Sequence, residues 1–239
     1  EGRAVICHLG AGASATAVAG GRSLDTTMGF TPLEGLVMAT RAGDVDPGLL
    51  IWLLEQGLEL AAVGDGLERR SGLAGLWQSA EGDLRSVLGA RREGDAAAAR
   101  AVGVYVHRLR AKVAAMAAAT NGLDALVFTG GVGEHAPEVR AETCAGLGFL
   151  GVALDDALNR AEVEPGREVE PGGQVEPGGQ VEPGGQVEPG GQVEPVAVRD
   201  LAEPGAPVRV LVVPAREDAV IAAECRRLLA PPPGGPSPP

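Results

Sequence analysis

The stretch "LDALVFTGGVGEHAPEV", residues 123–139, decides the fold. An apolar run stops at a glycine pair, and Pro137 then signals the first turn of a helix. A short apolar run bounded by turn residues reads as a fully buried strand. Before it, "GDAAAARAVGVYVHRLRAKVAAMAAATNG" (94–122) reads as one long helix. Asp95 stands at its N-cap, its interior is Ala-rich, and Asn121-Gly122 stop it. Further on, "VRVLVVP" (208–214) reads as a second buried strand and "EDAVIAAECRRLLA" (217–230) as a closing helix. Helix, strand, glycine loop, helix, strand, helix is an α/β pattern with buried strands.

Toward the N-terminus, residues 4–25 read as two short strands around a glycine turn, "AVICHL", "GAGAS" and "ATAVAGGRSLD", with Gly20-Gly21 fitting a hairpin. "TTMGFTPLEGLVMATRAGDVDP" (26–47) reads as a loop holding one short helical piece, anchored by Met28, Phe30, Leu33 and Met38. "PGLLIWLLEQG" (47–57) has a proline at its start and a glycine at its end, a helix signature. Residues 58–92 read as short helices and loops.

The chain has 239 residues, 45% of them apolar but only 3% aromatic, so its core is expected to be aliphatic. A net charge of −12 argues against a nucleic-acid surface, which needs a basic patch. It leaves open a phosphate ligand held by a few local groups. Cys7, Cys144 and Cys225 form no C-x-x-C pair and suggest neither a disulfide framework nor a zinc site. A reducing cytoplasm is the expected compartment, and no apolar run is long enough for a membrane span. The opening Glu1-Gly2-Arg3 has no Met, which suggests that the N-terminal part of a longer protein is missing.

Residues 164–195 repeat the unit EPGGQV. A hexapeptide solenoid is one reading, since each unit carries a Val. A tandem expansion inside a surface loop is favoured: Pro and Gly oppose a regular ladder, and one Val per unit offsets little ordering entropy. The tail 231–239 is disordered on composition.

"CHLGAGAS" and "VFTGGVGEH" each run from an apolar strand into a glycine cluster. Such turns let a backbone approach a ligand closely, and successive N–H groups can cradle an anion. The two together suggest a phosphate cradle; either alone could be ordinary strand-to-turn punctuation. Neither is a P-loop or a dinucleotide fingerprint. Arg41 lies between small residues in the long 26–47 loop, where it could meet the planar oxygens of a phosphate or carboxylate or form a surface salt bridge. His8 by itself reads as a core histidine. Glu217 could be an acidic first-turn residue favoured by the helix dipole. His107 and its basic neighbours suit a solvated helix face, and Cys7 and Cys144 suit small core positions.

"HLGAGAS", "DTTMGFTPLEGLVMATRAGDVDP", "RRSGLAGL" with "DLR", "FTGGVGEH" and "VVPAREDAVIA" occur together in the order and at the spacing of one family. The chain resembles the C-terminal part of acetokinase-family enzymes over about residues 4–160 and again 207–229. The resemblance implies an RNase H-like α/β fold of the actin-like ATPase and sugar-kinase superfamily, with a mixed sheet flanked by helices. Residues 1–163 and 196–230 would form the nucleotide-binding region and 164–195 an insertion. It implies phosphoryl transfer from ATP to acetate, giving acetyl phosphate and ADP, with Mg²⁺, in a homodimer; a propionate or butyrate kinase is the neighbouring alternative. His8, Leu9, Gly10, Ala11 and Gly12 match the family's first phosphate loop. Asp83, Leu84 and Arg85 match its nucleoside contacts, and Gly131, Val132, Gly133, Glu134 and His135 its second nucleotide loop. Arg41 matches the arginine that stabilises the transferring phosphoryl, and Glu217 the magnesium-associated glutamate.

The sequence departs from the family pattern at Ala11, Ala39, Ala42, His135, Ala215 and Arg216. Ala11 removes a hydrogen-bonding side chain near the phosphates, and Arg216 sets a cation beside Glu217. The Asn, acetate-pocket Arg, catalytic Asp and phosphoryl-contacting His of the family's N-terminal domain have no match in this chain. A fragment that binds nucleotide or dimerises without turnover is therefore the alternative function.

Overall fold

The computed structural model describes residues 2–79, 82–161 and 198–216. The EPGGQV tract, the 217–230 stretch with Glu217 and Cys225, and the tail 231–239 lie outside the described residues. A six-stranded sheet organises the rest: β1 (Arg3–Leu9), β2 (Ala13–Ala19), β3 (Arg22–Thr26), β4 (Ala125–Thr129), β5 (Arg199–Asp200) and β6 (Arg209–Val212). Their order is β3-β2-β1-β4-β6-β5. β1 pairs with β4, and β4 with β6, in parallel; the other pairs are antiparallel.

Residues 4–25 thus contain part of three strands, where the sequence reading expected two. The Gly10–Gly12 turn reverses the chain by itself, with the Gly10 N–H donating to the Gly12 carbonyl at 2.9 Å. β2 therefore pairs back along β1 from Leu9↔Ala13 to Arg3↔Ala19. Gly20 and Gly21, at φ 56° and 74°, then make the second hairpin. Positive φ at both central residues suits the right-handed strand twist, and glycine adopts it at low cost.

The helices are α1 (Pro47–Glu55), α2 (Leu60–Arg69), α3 (Gly72–Trp77), α4 (Leu84–Arg92), α5 (Ala96–Ala119), α6 (Gly130–His135), α7 (Pro137–Ala145) and α8 (Asp156–Arg160). α5 carries the packing. Ala98, Ala101, Val102, Tyr105, Val106, Leu109, Val113, Met116 and Ala117 make its buried stripe, at the spacing of one helix face. It lies over β1 and β2, whose inward residues are Val5, Cys7 and Leu9 and the small Ala13, Ala15 and Ala17. The Asp95 carboxylate caps α5 by accepting from the Ala97 and Ala98 N–H groups and also receives the Trp77 indole N–H at 3.0 Å. α3, α4 and α7 pack against α5. His107 is exposed, while Cys7 and Cys144 are buried. Burial pushes the Cys144 thiol up to about 12.

Two ties fix the parallel centre. The Arg3 backbone N–H donates to Asp124 Oδ2 at 2.8 Å, and its guanidinium reaches Oδ1 at 2.5 Å, joining the starts of β1 and β4. On the core face of β4, Leu126 and Phe128 are fully buried.

The 26–47 loop is ordered by backbone bonds and holds no helix, against expectation. Gly35, at φ 98°, lets the chain pass Thr27 so closely that a Cβ would lie 2.4 Å from the Thr27 carbonyl oxygen. Its N–H donates to Asp44 Oδ1 at 2.8 Å, and Asp44 pairs with Lys112 of α5 at 2.5 Å. The buried anchors are Leu36, Val37 and Met38. Phe30, an expected anchor, is fully exposed at 104%, because the chain turns outward at residues 29–34.

Candidate functional site

A cleft of about 490 Å³ opens beyond the carboxyl ends of β1 and β4. Ligands of open parallel sheets bind at such strand ends. The volume is within the range of small-molecule sites. One wall comes from Gly10, Ala11 and Ala13 at the β1–β2 turn. A second comes from Gly82, Asp83, Leu84, Arg85, Leu88 and Arg92 along α4. A third comes from Gly131, Val132, His135, Ala136 and Glu138 on α6 and α7. Met38, Ala39, Leu73 and Tyr105 complete the apolar lining.

Residues far apart in sequence thus meet at one opening: Gly10 and Ala11, then Asp83, Leu84 and Arg85, then Gly131, Val132 and His135. Leu9 and Gly133 do not line it; both are buried in the packing. His8 stands behind the wall, half-buried. Its ring lies 3.5 Å from where a Cβ on Gly10 would sit and 3.2 Å from the same point on Gly130. Gly12 closes the first turn through its carbonyl. The Glu134 carboxylate accepts the Ala215 N–H at 2.9 Å, so it ties α6 to the chain leaving β6 and is absent from the lining.

The segment "GGVGEH" was expected as a loop and is the helix α6. Three glycines make this a poor helix in isolation. Its last carbonyls are satisfied from outside. Arg140 of α7 is 1% exposed, and its Nη1 donates to the carbonyls of Gly133 and Glu134, at 2.8 Å each. Its Nε donates to Asn159 Oδ1 at 2.8 Å, and its Nη2 to the Asn159 carbonyl at 3.0 Å. Desolvation, with Arg199 nearby, lowers the guanidinium to about 10. Sequence reading missed Arg140. Only burial separates it from a surface arginine.

Arg41 is half-buried one turn of loop away from Met38 and Ala39, which line the cleft; Arg41 does not. The Met38 N–H donates to its carbonyl at 3.2 Å, and Nη1 contacts the Met38 sulfur at 3.7 Å. Ser71 N–H to Thr40 O and Ala42 N–H to Leu67 O, both 3.0 Å, stitch this segment to α2 and α3. Among the described residues no carboxylate pairs with the Arg41 or Arg85 guanidinium. Asp83 is the N-cap residue of α4 without its side chain capping.

The cleft suits a nucleotide in size and lining, with glycine backbone on one side and Arg85 and His135 at its edges. Among the described residues no group of three His, Cys, Asp or Glu side chains could hold an ion. Glu217 lies outside the described residues. No described helix is long and apolar enough to cross a membrane.

Comparison with known proteins narrows what this arrangement is. The acetokinase family model matches residues 1–170. Acetate kinase of Synechococcus sp. is 42% identical over 229 residues, covering 96% of this chain and 48% of the relative. The crystal structure of Porphyromonas gingivalis acetate kinase aligns with TM-score 0.78 at 33% identity, over 96% of this chain and 49% of that one. A propionate kinase structure from Francisella tularensis gives 0.73 at 30% identity, over 94% and 49%. The chain spans about half the length of the relatives it matches. Its mixed sheet flanked by helices is the fold of that acetate kinase structure, and by sequence and fold this chain belongs to the acetokinase family.

Proposed function

We propose that this chain supplies the nucleotide-binding side of an ATP:acetate phosphotransferase, which forms acetyl phosphate and ADP. The observation that carries the reading is the meeting of three separate family-matched segments, at Gly10, Arg85 and Gly131, around one cleft at the parallel strand ends. Phosphoryl transfer asks little covalent chemistry of a protein; it needs in-line positioning and stabilisation of charge on the transferring group. In this reading the backbone at Gly10 and Gly131 lets the phosphates approach without a Cβ in the way. The apolar lining excludes water, and Arg85 meets the nucleoside end. Arg41, on its stitched loop, is the cation for the transferring phosphoryl. His8 buttresses both glycine segments from behind, and Glu134 holds α6 in place.

Mg²⁺ would enter with ATP, with Glu217 as its candidate protein contact. Much of the acetate pocket would come from the half of the relatives that this chain does not span, so this half alone would bind nucleotide with little turnover. The likeness to a propionate kinase supports keeping a longer acyl acceptor as the second reading. A homodimer is part of the proposal. Leu49, Ile51, Trp52 and Leu54 of α1 are all exposed, and a helix with this much uncovered apolar surface suits an interface. A cytoplasmic location completes the reading.

Calorimetric titration of the chain with ATP tests it. Saturable binding, weakened by Arg85→Ala and by Gly131→Val, is the expected result. No binding to a chain shown by circular dichroism to be folded would overturn it. Acetyl phosphate formation by the protein carrying both halves then tests the acceptor.

A further inference from the structure

Two walls of the cleft are joined by charge. α4 ends in Arg91 and Arg92, and α7 carries Glu138 and Glu142 one helical turn apart. Arg92 pairs with Glu138, its Nε 3.1 Å from Oε1, and both residues line the cleft. Arg91 Nη1 meets Glu142 Oε1 at 2.7 Å. Arg110 of α5, the helix beneath both, donates from Nε to the Glu142 carbonyl at 2.8 Å. α4 is the element that carries Asp83, Leu84 and Arg85 at its start, and α7 continues directly from α6. Each packs on α5 through apolar contacts. Among the described residues, the ion pairs that run directly between α4 and α7 are these two.

We infer that these four side chains form a two-armed clasp that sets the width of the cleft, holding the 83–88 wall against the 131–138 wall. The chemistry suits a clasp rather than a permanent weld. Arg92 is 61% exposed and Glu138 30%, while Arg91 is 23% and Glu142 40%. Partly exposed pairs in a network are strong enough to bias a geometry and weak enough to be screened by salt. Apolar packing between two helices would not respond to salt in this way. The clasp has a second consequence, which rests on the nucleotide reading above. Arg92 offsets a carboxylate, Glu138, that would otherwise face bound phosphates alone.

The test is amide hydrogen exchange of the full chain, followed at residues 83–88 and 131–138. Arg92→Glu and Glu138→Arg are each expected to speed exchange in both walls by about two- to fivefold, the range of one exposed pair. The exchanged pair, R92E with E138R, is expected to return both walls to the original rates. Raising NaCl from about 0.05 M to about 0.5 M should mimic the single reversals in the original chain and add little to them. Failure of the exchanged pair to restore protection, or exchange that changes in one wall only, would overturn the clasp. ATP titration of the same variants separates the two readings. If the original chain binds no ATP, the nucleotide assignment fails while the exchange data still decide the clasp.

Discussion

Two glycine-bearing segments leave neighbouring parallel strands at the same edge of the sheet, and one becomes a hairpin turn while the other becomes a helix. β1 and β4 run in register to His8↔Thr129, so both chains face the choice at nearly the same place. After β1, Gly10 bonds to Gly12 and the chain returns as β2. After β4, the chain passes through Gly130 at φ 79° and winds into α6. The difference comes from what waits beyond each glycine. Ala13, Ala15 and Ala17 fit beneath α5 as a strand. The second segment instead meets Arg140, whose guanidinium satisfies the carbonyls that end α6. A helix end buried without such partners would be costly.

The comparison breaks hardest at the strand that both segments lean on. Phe128→Ala empties a fully buried position beneath Gly133 and should cost about 3–5 kcal/mol in urea unfolding. A loss under about 1 kcal/mol would mean that the site collapses to fill the hole.

Next comes the helix by itself. Arg140→Met keeps much of the volume but strands the carbonyls of Gly133, Glu134 and Asn159. A loss of about 3 kcal/mol is expected, with exchange at residues 131–135 faster than in β1. Uniform exchange across both would show that α6 does not depend on Arg140.

The two glycine segments should also answer differently to added side chains. At Gly131 a Cβ would meet nothing within 4 Å. Gly131→Val should therefore leave stability within about 1 kcal/mol and weaken ATP binding by about tenfold or more. At Gly10 a Cβ would sit 3.4 Å from the Gly12 carbonyl oxygen, within ordinary contact. Gly10→Ala should weaken ATP binding less than Gly131→Val. Equal losses from both would remove the distinction.

The smallest effect is in the pH dependence of the tie between β1 and β4. Hydrogen bonds from the Arg3 side chain, then from its backbone N–H, hold the Asp124 carboxyl at about 2. A carboxyl lowered by folding stabilises above its unfolded value and loses that contribution as pH falls through the folded one. The difference in unfolding midpoint between the chain and Asp124→Asn should thus be present above about pH 4 and vanish toward about pH 2. A difference independent of pH would assign the tie to packing alone.

Much of the framework is legible without coordinates, for local reasons. Asp95 and Asn121-Gly122 bound α5 because caps act within one turn. Pro47 and Pro137 mark helix starts because a fixed φ suits the first turn. The apolar run at 125–129 marks a strand, though one buried on one face rather than fully: Leu126 and Phe128 are buried, while Ala125, Val127 and Thr129 are only partly covered. Where local signals are weak or conflict, the sequence misleads. Phe30 reads as an anchor and points outward, while Leu36 and Val37 take its place. "GGVGEH" reads as a loop because glycine disfavours helix, and tertiary partners outweigh that preference.

The sequence alone determined the α/β class, the long central helix and the family, and it marked the segments proposed to meet a nucleotide, because those depend on short-range pattern and on motif order. Only the tertiary structure decided which of those residues share an opening. It gathered Gly10, Arg85 and Gly131 at the cleft. It set Leu9 and Gly133 into the packing, and turned Glu134 to the Ala215 backbone. It also made Arg140, which no local pattern singles out, the buried support of α6. Burial and pairing across distant elements belong to the packed chain as a whole, and no local stretch of sequence carries them.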